Sequence, residues 1–322
     1  MRAPEFWRHD GPLARLLAPL GRLWSWGVDR RLAETEAWRA AVPVICVGNI
    51  VAGGAGKTPV AIALAERLTA RGRAVAMLSR GHGGREVGPR RVDPLRHDAA
   101  RVGDEPLLLA RAAPTWVARW RPDGAVAATE AGAEVIVMDD GFQNPTLAKD
   151  LSLVVVDGGY GFGNGRVIPA GPCREPVDKG LARADAVVLI GDDTAGVARL
   201  LAATPVLRAR LVPGPEAAAL AGKPVVAFAG IGRPEKFFAT LRSVGARVVE
   251  TRPFADHHPY SHAEIEELLA VAAEAGAIAV TTEKDLTRVP ETLRNRISVL
   301  TVRLEWEDTR ALDRLLDRVV SG

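Results

Sequence analysis

Residues Val42–Ala65, VPVICVGNIVAGGAGKTPVAIALA, constrain this chain more than any other stretch. A β-branched apolar run from Val42 to Val47 enters a glycine-rich turn. The turn ends in Gly56-Lys57-Thr58, and an alanine- and leucine-rich helical pattern begins at once. Strand, loop and helix in that order aim successive loop N–H groups at an anion, with the positive end of the helix behind them. Gly53, Gly54, Ala55 and Gly56 would wrap a phosphate chain, Lys57 would reach its terminal phosphates, and the Thr58 hydroxyl would be available to Mg²⁺. The spelling departs from GxxxxGKT, because Val51 stands five residues before Gly56. AGGAGKT is read as a P-loop variant; a glycine-rich turn with a surface lysine is the alternative that the flanking strand and helix argue against.

With 322 residues the chain passes the size at which single cores tend to split, so two domains are expected. A hydrophobic fraction of 48% beside 25% charged residues is that of a soluble globular protein. No run approaches the roughly 18 apolar residues of a membrane span. Cys46 and Cys173 are too few for a disulfide framework and lack metal spacing, which points to a reducing, cytoplasmic setting. The net charge of +3 gives no argument for nucleic acid, though it leaves room for local basic patches.

The first forty residues differ from the rest. Leu13, Leu16, Leu17, Leu20 and Trp24 recur at helical spacing, while Arg15 and Arg22 lie on another face. Trp7, Trp24, Trp26 and Trp38 are four of the seven tryptophans. An amphipathic helix with such flanks suits a membrane interface. A helix packed on the domain and interrupted at Pro19 and Gly21 is equally open.

Beyond the P-loop helix, Ala74–Ser79 reads as a buried strand leading into Arg80-Gly81-His82-Gly83-Gly84. The arginine-rich segment 85–101 has no clear period and reads as a loop, either solvated or a basic lip over a phosphorylated ligand. Asp104 in GDEP suits a helix N-cap, with Pro106 in the first turn. Strands follow at Thr115–Ala118 and Glu134–Met138, the second ending in Asp139-Asp140-Gly141. An apolar strand that ends in paired acids downstream of a P-loop has the form of a Walker B element, in which one carboxylate orders Mg²⁺ and the other handles a proton or water. An Asp-Gly turn is the simpler alternative.

From Leu151 a second strand and helix series begins, and with it an expected second α/β unit. The fold class is thus α/β: a P-loop domain with a mostly parallel sheet over residues 1–150, including the N-terminal helix, and a smaller α/β domain over 151–322. The last helix, from about Asp308, is free to pack on either. Strands are expected at Leu151–Asp157, Ala186–Ile190, Val206–Leu211, Val225–Ala229, Ala246–Glu250, Ile278–Thr282 and Ile297–Val302. The glycine-rich loop 158–176 suits close backbone approach to a ligand. Asp256-His257-His258 places histidines beside a carboxylate, credible as a general base but equally a surface loop. Thr281-Thr282-Glu283-Lys284-Asp285 ends another strand, where Lys284 is placed to contact ligand. It lacks the NKxD spacing that reads guanine, which favours ATP.

Together GNIVAGGAGKTP, SRGHGG, GDEP, DDGFQ, FGNGRVIPAGPCREP, FADHH and TTEKD resemble, in order and spacing, the tetraacyldisaccharide 4'-kinase family of Gram-negative bacteria. The likeness runs from about Val42 to Asp285. It implies ATP-dependent phosphorylation of the 4'-hydroxyl of a tetraacyldisaccharide 1-phosphate to give lipid IVA in lipid A biosynthesis. The enzyme would be peripheral at the cytoplasmic face of the inner membrane, with ATP and Mg²⁺ as cofactors and no nucleic-acid or obligate protein partner. It also implies two domains with the nucleotide between them. Carried over residue by residue, Lys57 and Thr58 hold phosphates and Mg²⁺, Asp139 and Asp140 organise the metal and the reaction centre, and Asp104 becomes a catalytic group paired with His257. Glu175 is a further site residue, and Arg80 and Arg174 are candidates for the substrate's 1-phosphate. His82 and Asn144 depart from the common pattern, where the family often has Tyr and His, leaving ring-stacking and proton-handling roles there open. A membrane-associated P-loop ATPase switch and a kinase with a soluble acceptor remain the competing readings.

Overall fold

The structure is a computed structural model that describes residues 4–201 and 203–320. At its centre lies β1, Val44–Gly48, all of whose residues are buried. Along the chain follow β2 (Val75–Ser79), β3 (Arg90–Arg91), β4 (Thr115–Val117), β5 (Val135–Asp139), β6 (Leu151–Asp157), β7 (Ala186–Ile190) and β8 (Val206–Pro213). Then come β9 (Pro224–Ala229), β10 (Arg247–Pro253), β11 (Ile278–Thr282), β12 (Ser298–Leu300) and β13 (Val302–Trp306). The α-helices are α1 (Pro12–Glu34), α2 (Lys57–Ala70), α3 (Ala99–Val102), α4 (Asp104–Leu109) and α5 (Arg121–Glu130). The later ones are α6 (Val177–Ala182), α7 (Pro234–Ser243), α8 (His262–Glu274), α9 (Glu283–Leu286) and α10 (Thr309–Val320).

Nine strands form one sheet in the order β13-β8-β7-β6-β1-β5-β2-β4-β3. It is parallel from β8 to β4, and only the edge strands β13 and β3 run antiparallel. A parallel sheet needs both faces covered, which explains the near-continuous apolar runs. Along β1, Ile45 and Val47 join Val60, Leu64 and Leu68 of α2 and Leu312 and Leu316 of α10 on one face. Val44 and Cys46 meet Phe142, Leu181 and the alanines of α5 on the other. The final helix thus packs on the P-loop unit, where Arg67 of α2 and Arg71 just after it also pair with Asp313 and Asp317. A second sheet, β10-β9-β11-β12, is parallel throughout. It carries Phe237, Phe238 and Leu241 of α7 on one face and Ile265 and Leu268 of α8 on the other.

A boundary at residue 150 does not match these sheets. β6, β7 and β8 extend the first sheet past β1, with Ile45 in register with Leu151. The four-stranded sheet is confined to strands between Pro224 and Leu300, after which β13 returns to pair with β8. The expected strand Ile297–Val302 is likewise two strands, divided at Thr301 and belonging to different sheets. Apolar runs announce strands but not partners, so a crossing between sheets leaves no mark in the pattern. Segment 85–101 is not entirely loop, since it contains β3 and the start of α3.

Helix α1 runs through Pro19 and Gly21 without a break. Its buried residues are Ala14, Gly21 and Val28, seven apart, and a Cβ on Gly21 would stand 2.9 Å from the Val167 carbonyl oxygen. Glycine there lets the helix lie directly on loop 158–176. Gly163 makes a similar approach to the Trp7 carbonyl, where a Cβ would stand 2.6 Å away. Gly163 of this loop thus seats the N-terminal segment and not a ligand. The leucines point outward: Leu16 is 75% and Leu23 64% exposed, with Leu20, Trp24 and Trp26 also exposed. No helix among the described residues is long and apolar enough to cross a membrane.

Candidate active site

The carboxyl ends of β1, β2, β4 and β5 open on a cleft of about 1610 Å³, lined on its other side by loops and helices of the four-stranded sheet. Between β1 and α2 the chain turns through Gly53 and Gly56, at φ of 106° and 92°, a left-handed backbone that an L side chain rarely adopts. Lys57 is then the first residue of α2, mostly buried, with its ammonium 3.7 Å from Asp140 Oδ1. The Thr58 hydroxyl donates to Asp139 Oδ2 at 3.0 Å.

The two acids at the end of β5 have opposite electrostatics. Burial and then the charge of Glu105 push the Asp139 carboxyl up to about 7, with Lys57 offsetting only part. Asp140, at a φ of 51°, faces the cleft. Burial works against its ionisation too, but Lys57 and Arg174 hold it well below the usual carboxylate range. Arg174 donates to both Asp140 oxygens, at 2.8 and 3.3 Å. Asp139 Oδ1 is buried without a hydrogen-bond partner. A buried carboxylate with an orphaned oxygen beside a hydroxyl is short of one positive charge, and a hard cation with oxygen ligands fits it. Thr58 and Asp139 are the residues that would hold Mg²⁺.

Asp104 and His257 arrive from opposite sheets. Asp104 opens α4 after Gly103, so it is the first helical residue and Gly103, not Asp104, is the N-cap. Its Oδ1 accepts from the Glu105 N–H at 2.9 Å. His257 follows β10 in a loop held by its own N–H donating to the Gly230 carbonyl, at a φ of 58°. His257 Nδ1 lies 2.9 Å from Asp104 Oδ2. Burial raises the Asp104 carboxyl, but the hydrogen bond from His257 and the charges of Lys284, His257 and Arg288 outweigh it and hold it at about 2. Among the described residues the two non-glycine residues in the left-handed region, Asp140 and His257, both lie at this site, where local strain commonly collects.

The four-stranded sheet is joined to the P-loop side by several ion pairs. Lys284 Nζ donates to Glu105 Oε1 at 3.0 Å, and Arg111 Nη1 to Glu283 Oε1 at 2.9 Å. Burial works against the Lys284 charge, yet Glu105, Asp104 and Asp256 raise its ammonium above the usual lysine range. Arg233 donates to the Gly54 carbonyl at 3.0 Å and, with Lys236, pairs with Asp157 at the end of β6. Asp285, fully buried, accepts from the Gly230 N–H and the Tyr260 hydroxyl and so shapes the loop that carries His257.

The family model described as Tetraacyldisaccharide-1-P 4'-kinase matches residues 13–321. The chain belongs to this kinase family. It is 65% identical over 321 residues to the tetraacyldisaccharide 4'-kinase of Paramagnetospirillum magneticum, covering 99% of each chain. It is 56% identical over 327 residues to that of Rhodospirillum rubrum, covering 100% of this chain and 99% of the relative. The crystal structure of LpxK from Aquifex aeolicus in complex with ATP has a TM-score of 0.78 at 28% identity, over 96% of this chain and 99% of that one.

Of the residues that the sequence singles out for this 4'-kinase site, Lys57, Thr58, Arg80, Asp140, Arg174 and His257 line the cleft. Asp139 and Asp104 lie directly behind Thr58 and His257. Glu175 does not line the cleft: it is 2% exposed, accepts from Nε2 of the cleft-lining Gln143 at 2.9 Å and pairs with Arg183, so it stands one layer behind the surface. His82 sets its ring edge-on to His257, with centroids 5.4 Å apart, and Asn144 accepts from the Thr146 N–H and hydroxyl in a local turn. Sequence reasoning missed Arg121. It is 2% exposed, lines the cleft, donates to the Ala118 carbonyl at 2.5 Å and leaves its Nε without a partner. Burial and then the neighbouring Arg80 lower it to about 10. As the residue before Pro122, it reads in sequence only as a helix start.

Proposed function

We propose that this chain transfers the γ-phosphoryl group of ATP to the 4'-hydroxyl of a tetraacyldisaccharide 1-phosphate, working as a peripheral enzyme at the cytoplasmic face of the inner membrane. One observation carries the reading. A phosphate-binding loop with its acidic pair and a carboxylate–histidine pair open on one cleft, but come from the two sheets. Donor and acceptor halves of a phosphoryl transfer need that arrangement.

Phosphoryl transfer asks for positioning and charge neutralisation more than for covalent work. In this reading the loop amides and Lys57 hold the β- and γ-phosphates. Mg²⁺, when bound at Thr58 and Asp139, supplies charge neutralisation on the transferring group. Asp104 and His257 receive the proton of the acceptor hydroxyl, and the overlying sheet excludes water that would otherwise hydrolyse ATP. Arg174 is engaged by Asp140, so its offered role at the 1-phosphate passes to Arg80 with Arg121. Arg119 stands beside them at the cleft, its Nη2 donating to the Gly84 carbonyl at 3.5 Å. The outward leucines and tryptophans of α1 would dip into the bilayer while Trp24 Nε1 donates to the Arg174 carbonyl at 3.1 Å, which ties the membrane face to the site floor.

The test supplies γ-labelled ATP and a disaccharide 1-phosphate precursor in mixed micelles. Label is expected in the lipid, and ATP hydrolysis without it would sink the kinase reading in favour of a switch. Two further outcomes are expected. Arg121→Ala should raise KM for the lipid about tenfold or more, with KM for ATP changed less than about threefold. Replacing Leu16, Leu20 and Leu23 together by Gln should abolish binding to anionic vesicles in flotation while leaving Tm within about 2 °C, because these side chains are exposed. Unchanged flotation would favour a soluble acceptor.

A further inference from the structure

Lys284 occupies the point where α9 of the four-stranded sheet meets α4 of the nine-stranded one. Its ammonium lies 3.0 Å from Glu105 Oε1, 3.3 Å from His257 Nε2 and 4.0 Å from Asp104 Oδ2, and 22% of the side chain is exposed. Thr282 caps α9 and Asp285 is anchored in the core, so the residue between them on the cleft side is fixed from both directions.

These contacts dictate the state of the His257 ring. An ammonium has three donors and no acceptor, so the ring nitrogen it faces has to present a lone pair. On the other side, Nδ1 faces an ionised carboxylate, which only accepts, so Nδ1 has to carry hydrogen. For a neutral imidazole one arrangement satisfies both. The remaining groups around the ring do not alter it. Asp256 Oδ1, 3.8 Å from Nε2, is beyond hydrogen-bond reach and has no partner of its own. His82 presents a ring edge, and Arg288 Nε stands 3.4 Å behind Asp104 Oδ2.

We propose that Lys284 is a positioning residue that fixes His257 as the neutral Nδ1–H tautomer, and that it does so only while Glu105 holds it against α4. The proposal rests on the reading of Asp104 and His257 as the pair that receives the hydroxyl proton. An Nε2–H ring would set hydrogen against the ammonium and take from Asp104 Oδ2 the hydrogen bond of Nδ1. Lys284 and His257 share the four-stranded sheet, so opening of the two sheets would carry both away from α4, taking Asp104 from Nδ1 and Glu105 from the ammonium and releasing the ring. The proton-accepting pair is therefore assembled by the same closure that shuts out water.

The state of the ring is measurable without turnover. Long-range ¹H–¹⁵N correlation on the full chain labelled at histidine, with His257→Gln assigning its signal among the six histidines, reads both nitrogens. At about pH 7–8 the wild-type ring is expected to carry hydrogen on Nδ1 and none on Nε2. Lys284→Met should shift it to the Nε2–H or doubly protonated form, and Lys284→Arg should retain the original. The kcat of Lys284→Met should fall about ten- to hundredfold with KM for ATP changed less than about threefold. Wild-type hydrogen on Nε2 overturns the proposal. So does a Lys284→Met ring unchanged from wild type while the other histidine signals report an intact fold. If those signals show that Lys284→Met has unfolded, Lys284→Gln is judged by the same criterion. Failure to label the lipid would sink the kinase reading and leave the ring assignment standing.

Discussion

Lys57→Ala is expected to lower kcat/KM for phosphoryl transfer by about 10³-fold or more, with little change in folding. The side chain is mostly buried and faces Asp140, yet Asp140 keeps both hydrogen bonds from Arg174 when the lysine is removed. Asp140 is thus not orphaned, and Asp139, which loses the offsetting charge of Lys57, is raised further toward its neutral form and not left as an unpaired ion. The expected change in Tm is within about 4 °C. Lys57→Arg should rescue little, since the planar fork does not fit where a compact ammonium at the start of α2 meets the loop amides. Transfer is read from label in the lipid and folding from thermal melts. A fall in transfer matched by a fall in Tm beyond about 10 °C would place Lys57 in the scaffold and not in phosphate binding.

The elements that sequence reveals best here are those whose local chemistry is self-contained. Val42–Val47, the glycine turn and Lys57-Thr58 specify strand, loop and helix within one stretch, and DDGFQ specifies a strand end with two acids. The observed strands at Leu151–Asp157, Ala186–Ile190 and Ile278–Thr282 coincide with the expected ones residue for residue. Which sheet a strand joins depends on contacts far along the chain, so β6 to β8 were assigned to the wrong unit and the split at Thr301 was invisible. The candidate site divides the same way. Asp104 and His257 are 153 residues apart and meet only through the docking of two sheets. By spacing, Asp104 read as a cap, and only the family resemblance paired it with the histidine. Arg121 and the engagement of Arg174 by Asp140 escaped notice because burial and partner choice are tertiary facts. The glycines of 158–176 read as ligand-facing because sequence shows that a backbone can come close, but not what it approaches; at Gly163 it is the Trp7 carbonyl of the chain's own N-terminal segment.

Asp104→Asn should lower kcat by about 10²- to 10⁴-fold while changing KM for ATP less than about threefold, and His257→Gln should do nearly the same. The double variant should be little worse than either single one, since the two side chains act through one hydrogen bond. Additive losses would mean that they work separately, and an equal loss in ATP affinity would move them to nucleotide binding. A stability effect of defined sign accompanies the catalytic one. Asp104 is held at about 2 in the fold against 3.8 for the ordinary group, so the unfolded chain binds its proton more readily. A depressed pKa contributes stability above the unfolded value and loses it as pH falls through the folded one. The contribution is about 2 kcal/mol at pH 7, declining between about pH 4 and pH 2. Urea unfolding of Asp104→Asn should therefore show that deficit at neutral pH and a gap that narrows toward pH 3. A gap independent of pH would assign the cost to lost packing. A narrowing gap would show that the charge which readies the hydroxyl also holds the two sheets together, so that closure and proton acceptance are one electrostatic event.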